Sequence, residues 1–285
     1  MALRIFTNLP SQNSQRAMSI NAARLGSSLE RIATGIRLQR SSDDIAAMAV
    51  SQSLRGDVTA LRQGAKNLND GISLIKTADG SLSEQSSILI RLREITSQSA
   101  TGTIGDVERA TVQLEFSALR AEFDRIAHTS EFNGQKLLDG SLAASSSNST
   151  VLQLGVDSSD DNRFDLNQKL NLTAITSSAL GFSTDSIATD TGALTAMANL
   201  TTAIEKLSTI RGRVGAVQET LDYTKAAMAA HVENLTGAIS TMRDADFAEE
   251  FANLTKHQIL VQSGAAMIGQ ANLIPQAVLT LLQDG

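Results

Sequence analysis

In Leu54-Arg-Gly-Asp-Val-Thr-Ala-Leu61-Arg-Gln-Gly-Ala-Lys-Asn-Leu68-Asn-Asp-Gly-Ile-Ser-Leu-Ile75 a large aliphatic residue returns every seventh position. The same register runs on through Leu82 and Leu89. Seven-residue spacing keeps one face of an α-helix apolar, so the pattern predicts a long helix with a stripe about 53 Å long. Ser41 and Ser42 stand where a cap is expected, with Asp43 and Asp44 in the first turn, where the helix dipole favours negative charge.

Working outward, Val112, Phe116, Leu119, Phe123 and Ile126 follow a 4-3-4-3 spacing. Small and polar residues at Ser99–Gly105 separate this run from the first, so the two read as a helical hairpin. A third stripe carries Leu200, Leu207, Val214, Leu221, Met228, Leu235 and Met242, about 63 Å by the same rise. The next apolar set, Phe247, Phe251, Leu254, Val261 and Ile268, is offset by five from Met242. Such an offset turns the stripe off its face and predicts a break at 243–246. Near the start, Met18, Ala22, Leu25, Leu29, Ile32 and Ile36 are in phase, and the phase is lost over 37–44. Between 131 and 193, Asn133-Gly134 and Asp139-Gly140 are turn signals. Val151–Val156 and Arg163–Leu166 read as short strands around the polar connection Asp157–Asn162.

The expected fold is mainly α, with long heptad-patterned helices in a discontinuous bundle, a terminal coiled-coil pair and a small β-hairpin region. The rod-packing residues expected are Leu54, Leu61, Leu68, Ile75, Leu82, Leu89, Leu207, Val214, Leu221, Met228 and Leu235.

Composition narrows the function. The chain has 285 residues, no Cys, no Trp, one Tyr and two Pro, which leaves no disulfide framework and no thiolate metal site. His128, His231 and His257 are far apart in sequence and give little support to a histidine-built zinc site. No Walker loop occurs, and the Asp157 loop lacks the Gly and Glu of a calcium-binding hand. With no nucleophile–base pair, no enzyme and no cofactor is expected. The first 40 residues carry +5 and the remainder −11, but the basic end lacks Lys clusters and stacking aromatics, so no nucleic-acid partner is expected. No apolar run approaches the roughly 20 residues of a membrane span, and no cleavable signal peptide is expected.

Residues 257–283 contain no Lys, Arg, Asp or Glu. A solvated helix face normally carries charge, while Gln258, Gln262, Gln270, Asn272, Gln276, Gln283 and Pro275 argue against lipid. Leu260, Met267, Ile274 and Leu281 repeat every seven beside Val261 and Ile268, so apolar surface covers more than one stripe. The expectation is self-association through the two ends of the chain. Its interface residues would be Met18, Leu25, Leu29, Ile32, Phe247, Phe251, Leu254, Val261, Ile268, Ile274 and Leu281.

Several motifs, in order, resemble those of the bacterial flagellins. They are Leu29-Glu-Arg-Ile-Ala-Thr-Gly-Ile-Arg-Leu38, Ser41-Ser-Asp-Asp44, Asn67-Leu-Asn-Asp-Gly-Ile-Ser73, Arg91-Leu-Arg-Glu-Ile95, Phe132-Asn-Gly134, Arg243-Asp-Ala-Asp-Phe247 and Gln270-Ala-Asn-Leu-Ile-Pro275. The resemblance spans the whole chain. It implies an inner, channel-lining terminal domain at 1–36 with 247–285 and linkers at 37–44 and 243–246. It also implies a helical rod at 45–130 with 194–242, and a hairpin-and-loop part of that rod at 131–193. It further implies a homopolymeric extracellular filament for motility, type III export, and partners in a filament cap, hook-junction proteins and an export chaperone. An animal innate immune receptor reads the rod helices in this family, at positions matching Arg91, Ile95 and Glu115 here. A hook–filament junction protein, with similar ends and length, is the alternative.

Only the segment 131–193 separates the helical halves, and hairpins use much of it. The expected filament therefore has little or no decoration beyond the rod layer. A density map of the assembled filament checks this, and a globular domain beyond the rod layer would contradict it.

Overall fold

The computed structural model describes residues 7–283, with side chains through Leu273. The chain runs α1 (Leu9–Thr34), α2 (Ile45–Ser99), α3 (Asp106–Thr129), β1 (Glu131–Phe132), β2 (Gln135–Lys136), β3 (Val151–Gln153), β4 (Arg163–Asp165), α4 (Leu166–Leu170), α5 (Ser177–Leu180), α6 (Asp190–Arg243) and α7 (Phe247–Gln283). It is mainly α, with two small antiparallel hairpins, β1–β2 and β3–β4. Two compact units result. One combines the chain ends, up to Gly56 and from Leu235; the other is Asp57–Asn234. The division falls inside α2 and α6, not at the linkers where the apolar phase breaks.

In the unit 57–234 the heptad stripes are core. Leu61, Leu68, Ile75, Leu82 and Leu89 of α2 are buried, as are Leu207, Val214, Leu221 and Met228 of α6. Leu54 and Leu235, at the ends of the stripes, are half-buried and belong to the other unit. Asp79 of α2 pairs with Arg211 of α6 at 3.4 Å, and Gly64 lies beside Met228, so the two helices run antiparallel. α3 contributes Phe116 and Phe123 to the same core. Phe123 meets Phe182 edge to face at 5.3 Å, the arrangement favoured by the ring quadrupoles.

Buried polar groups fix the connections. Arg109 of α3 donates from Nη1 to Ser99 O at 2.7 Å and from Nη2 to Ile104 O at 3.1 Å. It thus caps the carbonyl end of α2, where a cation is favoured. Gln85, fully buried, donates from Nε2 to Phe123 O and Ile175 O, both at 3.1 Å. Asp124 accepts from the Ser177 amide and hydroxyl, both at 2.6 Å. The bonds to Ser99 O, Ile104 O, Ile175 O and the Ser177 amide satisfy backbone groups at helix ends and in loops.

The segment 131–189 holds the expected turn at Asn133-Gly134 and the expected strand pair around Asp157, together with two short helices, α4 and α5, that the sequence did not suggest. Asn133 and Gly134 both adopt positive φ, 49° and 79°, as a two-residue hairpin of the favoured hand requires. β3 and β4 pair with Gln153 opposite Arg163. In their connection Asp157 accepts from the Ser159 hydroxyl at 2.6 Å and amide at 3.0 Å. Side-chain hydrogen bonds from Ser159 and Asn162 hold its carboxyl below the usual carboxylate value. The loop is a self-satisfied turn.

The second hairpin lies against α2 through helical glycines. Asn67 Nδ2 donates to Gln153 O at 2.9 Å. A side chain at Gly64 would overlap the Leu154 carbonyl, and one at Gly71 would overlap a Leu152 methyl. The backbone oxygen cannot move aside, whereas the leucine can turn. Gly64→Ala should therefore lower stability by about 1–3 kcal/mol through overpacking, even against the ~1 kcal/mol helix gain of Ala over Gly. Gly71→Ala should cost less. Urea midpoints of the two variants test this, and an unchanged midpoint for Gly64→Ala would contradict the close approach.

Candidate assembly surfaces

The terminal unit is built on one antiparallel helix pair. Asn8 Nδ2 donates to Ala271 O at 2.9 Å, while its Oδ1 accepts from the Ser11 amide and caps α1. At the other end Arg31 Nη1 meets Glu250 Oε1 at 3.1 Å. Between them Gly264 lies against Met18, with room for ordinary contact only.

On α1 the inward row is Ser11, Ser14, Met18, Asn21, Leu25, Ser28 and Ile32. On α7 it is Glu250, Leu254, His257, Val261, Gly264, Ile268 and Ala271. Both rows alternate by three and four, the spacing of a coiled-coil seam. Small and polar residues occupy much of it.

Met18, Leu25, Ile32, Leu254, Val261 and Ile268 lie partly covered along this seam. Leu29 does not: it is 51% exposed, and Ser28 takes the inward place. Asn21 likewise displaces Ala22. The contacts at Asn8 and Arg31 set the rotation of α1 about its axis, and that rotation carries Leu29 outward. Phe247 and Phe251 are also half-exposed, their rings 6.5 Å apart. Ile274 and Leu281 lie outside the described side chains. The apolar pattern did not single out Leu9, Ile20, Ile259 or Leu273, and these too face outward. Leu260 is 39% exposed and Met267 61%. The larger apolar surface of the terminal pair thus points away from its own seam.

The linkers are ordered by backbone pairing. Ile36 and Asp244 form an antiparallel bridge. The Arg37 amide donates to Arg243 O at 2.7 Å, and the Ala245 amide donates to Gly35 O at 3.0 Å. Gly35 closes α1 with φ 70°, the left-handed conformation that favours glycine. The cap of α2 differs from the expectation at Ser41 and Ser42. Asp44 caps it, accepting from the Ala47 amide at 2.9 Å. Asp43 turns back to accept from the amides of Arg40 and Gln39 at 3.1 and 3.2 Å. The Arg40 amide leads in holding its carboxyl below the ordinary value, so this support is present at neutral pH and is lost on protonation in acid. Asp246 caps α7 through the Ala248 amide at 2.8 Å.

On the second unit Arg91 donates to Glu115 Oε1 at 2.7 and 2.9 Å and to Glu94 at 2.9 Å. Both Arg91 and Glu115 are half-exposed. Ile95 is fully buried, so it offers no surface to a receptor, and its expected role in such a contact is corrected. Ile90, Val107, Leu114 and Tyr223 are strongly exposed apolar residues of this unit. Among the described residues there is no group of His, Asp and Glu able to hold a metal ion, and no helix is long and apolar enough to cross a membrane.

Residues 5–143 match the bacterial flagellin N-terminal helical region, and residues 197–282 match the bacterial flagellin C-terminal helical region. The chain belongs to the bacterial flagellin family. A flagellin of Halalkalibacterium halodurans is 37% identical over 276 residues, covering 97% of this chain and 98% of its own. A flagellar filament 30.7 kDa core protein of Treponema maltophilum is 35% identical over 283 residues, covering 96% and 98%. A putative flagellar hook-associated protein from Vibrio parahaemolyticus has a similar structure, with a TM-score of 0.57, 15% identity, and coverage of 71% of this chain and 100% of its own. That likeness concerns the fold alone. With 285 residues and two small hairpins between its helical halves, this flagellin is of the short form, without a large outer domain.

The Arg31–Glu250 pair is the charged contact inside the flagellin's terminal seam. Removing one partner of such a pair strands the other, and here Glu250 is the deeper. Arg31→Ala should reduce terminal helix pairing, by about 1–2 kcal/mol given the partial exposure of the arginine. An Arg31→Met, Glu250→Leu double variant should recover it. Hydrogen exchange of α1 amides reads the difference, and equal protection in wild type and Arg31→Ala would refute the assignment.

Proposed function

We propose that this chain is a structural subunit that polymerises into the extracellular flagellar filament used for motility. The observation that carries the reading is the part of α7 without Lys, Arg, Asp or Glu, from residue 257 to 283, whose outward apolar row stays exposed among the described residues. Covering one such side chain contributes ~1.5–3 kcal/mol before the entropy of association is subtracted, so a few per contact suffice. In the assembled filament the ends, 1–36 and 247–285, form the inner coiled-coil domain that lines the channel, joined by linkers at 37–44 and 243–246. The parts 45–130 and 194–242 form the rod, with 131–193 completing it. The interface and rod-packing residues named from the sequence act in these two layers, with Ile274 and Leu281 extending the inner one.

Export without a cleavable signal through the flagellar type III apparatus, an export chaperone, the filament cap and hook-junction proteins complete the reading. They rest on resemblance to the family. The junction-protein alternative is not favoured, because the similar full-length relatives named above are a flagellin and a filament core protein. Recognition by an animal immune receptor would rest on Arg91 and Glu115 alone. In the chain these residues already neutralise each other.

Two substitutions separate pairing within a chain from contact between chains. Met267→Asp places a charge on the outward row and should leave the α1–α7 pair formed while blocking filament growth, because a buried unpaired charge is costly. Ile268→Asp lies in the seam and should lose both, with the unit 57–234 still folded. Circular dichroism of the monomer and electron microscopy of assembled material score the outcomes. Normal filaments from Met267→Asp would refute the assignment of the outward row.

A further inference from the structure

We infer that the cleft beside the terminal linkers receives an arginine from α1 of a second copy of this chain, an inference that rests on the filament reading above. The cleft is lined by Arg31, Arg37, Asp244, Asp246, Glu249 and Glu250. Four carboxylates face two guanidinium groups, and most are already committed. Arg31 holds Glu250 Oε1, and Arg37 Nη2 donates to Met242 O at 2.7 Å. Asp244 accepts from the Ser240 hydroxyl at 2.6 Å, and Asp246 caps α7. Two of the four carboxylates stand out. Glu249 is exposed and has no partner among the described residues. Glu250 is only 6% exposed, and its Oε2 has no hydrogen-bond donor. A buried carboxylate oxygen without a donor is costly, so the site is incomplete as it stands in a single chain.

The complementary group lies elsewhere on the same chain. Arg16, Ile20 and Arg24 are spaced by four on α1, all exposed and off the seam. They form a row about 12 Å long. Neither arginine has an ion-pair partner among the described residues. Arg24 stands seven residues from Arg31, about 10 Å along the helix, so this row and the cleft are separate patches. A guanidinium fits the cleft better than an ammonium, because its planar fork can donate to both oxygens of the exposed Glu249 while its charge offsets the buried Glu250 carboxylate behind it. Contact between two different patches on identical chains is heterologous. It leaves one cleft and one arginine row open at the two ends of every row of subunits, which is the geometry of an open array.

The absence of cysteine makes the test clean. A Glu249→Cys chain is copolymerised with an Arg16→Cys chain or with an Arg24→Cys chain and treated with a short bismaleimide. This reagent spans the separation of two long side chains, which a disulfide would not. Cross-linked dimers in filaments, and none in dilute monomer, are the expected result. Filaments that contain both variants yet give no dimer at either arginine position overturn the inference and leave the filament reading intact. Charge reversal is the second measurement. Glu249→Arg should slow filament growth, and adding Arg16→Glu and Arg24→Glu to it should restore growth. Unimpaired growth of Glu249→Arg counts against the contact. If the unsubstituted chain forms no filaments, the reading beneath the inference fails, a result distinct from filaments that do not cross-link.

Discussion

Everything in the terminal unit depends on the seam between α1 and α7. Its register is set by three unlike devices: a backbone bridge at Ile36 and Asp244, an ion pair at Arg31 and Glu250, and a capping asparagine at Ala271. None of these is apolar packing. Between them the seam admits serine, asparagine, glycine and alanine, which bury little area each. The pair is therefore well specified in orientation and modest in intrinsic stability. The apolar surface that would normally close such a pair is turned outward, where only another polypeptide can cover it.

The second unit solves the opposite problem. Its stripes are spent inside the chain, and buried polar side chains hold its connections. Gln85 ties α3 and the loop at Ile175 to α2, and Arg109 closes the carbonyl end of α2. Such groups tolerate few alternative packings, because a slip adds unpaired donors or acceptors to the two atoms already buried without a partner, Gln85 Oε1 and Arg109 Nε. This unit carries its own complete core, and the terminal unit does not.

Much of this was legible in the sequence where burial and period coincide. The stripes from Leu61 to Leu89 and from Leu207 to Met228 are buried as their spacing requires. The phase losses after Ile36 and Met242 fall where α1 and α6 end. The two turns at Asn133 and Asp157 were readable because their residue types satisfy backbone groups locally. The rotation of α1 was not. A 4-3 row through Ala22 and Leu29 and a 3-4 row through Asn21 and Ser28 are both helical, and hydrophobicity prefers the first. The ion pair and cap that select the second lie 219 and 263 residues away in sequence. The cap of α2 was misplaced for a local reason. Ser41 and Ser42 are good caps in general, but α2 starts at Ile45, so Asp44 stands at the cap position and, as an anion, holds the Ala47 amide strongly, while Asp43 turns back to the Arg40 amide. The short helices α4 and α5 are too brief to show a period at all.

The pairing of α1 with α7 also fixes an order of events. A ribosome delivers α1 first and α7 last, so through almost the whole of translation the first helix has no mate. Four of its seven seam residues, Ser11, Ser14, Asn21 and Ser28, are small or polar, which weakens any substitute pairing in the growing chain. The cost of closing a loop of more than two hundred residues is met only when the last helix emerges. The unit 57–234, whose contacts are all made by then, folds ahead of it. Nascent chains thus pass through a stage with a finished middle and two unjoined ends.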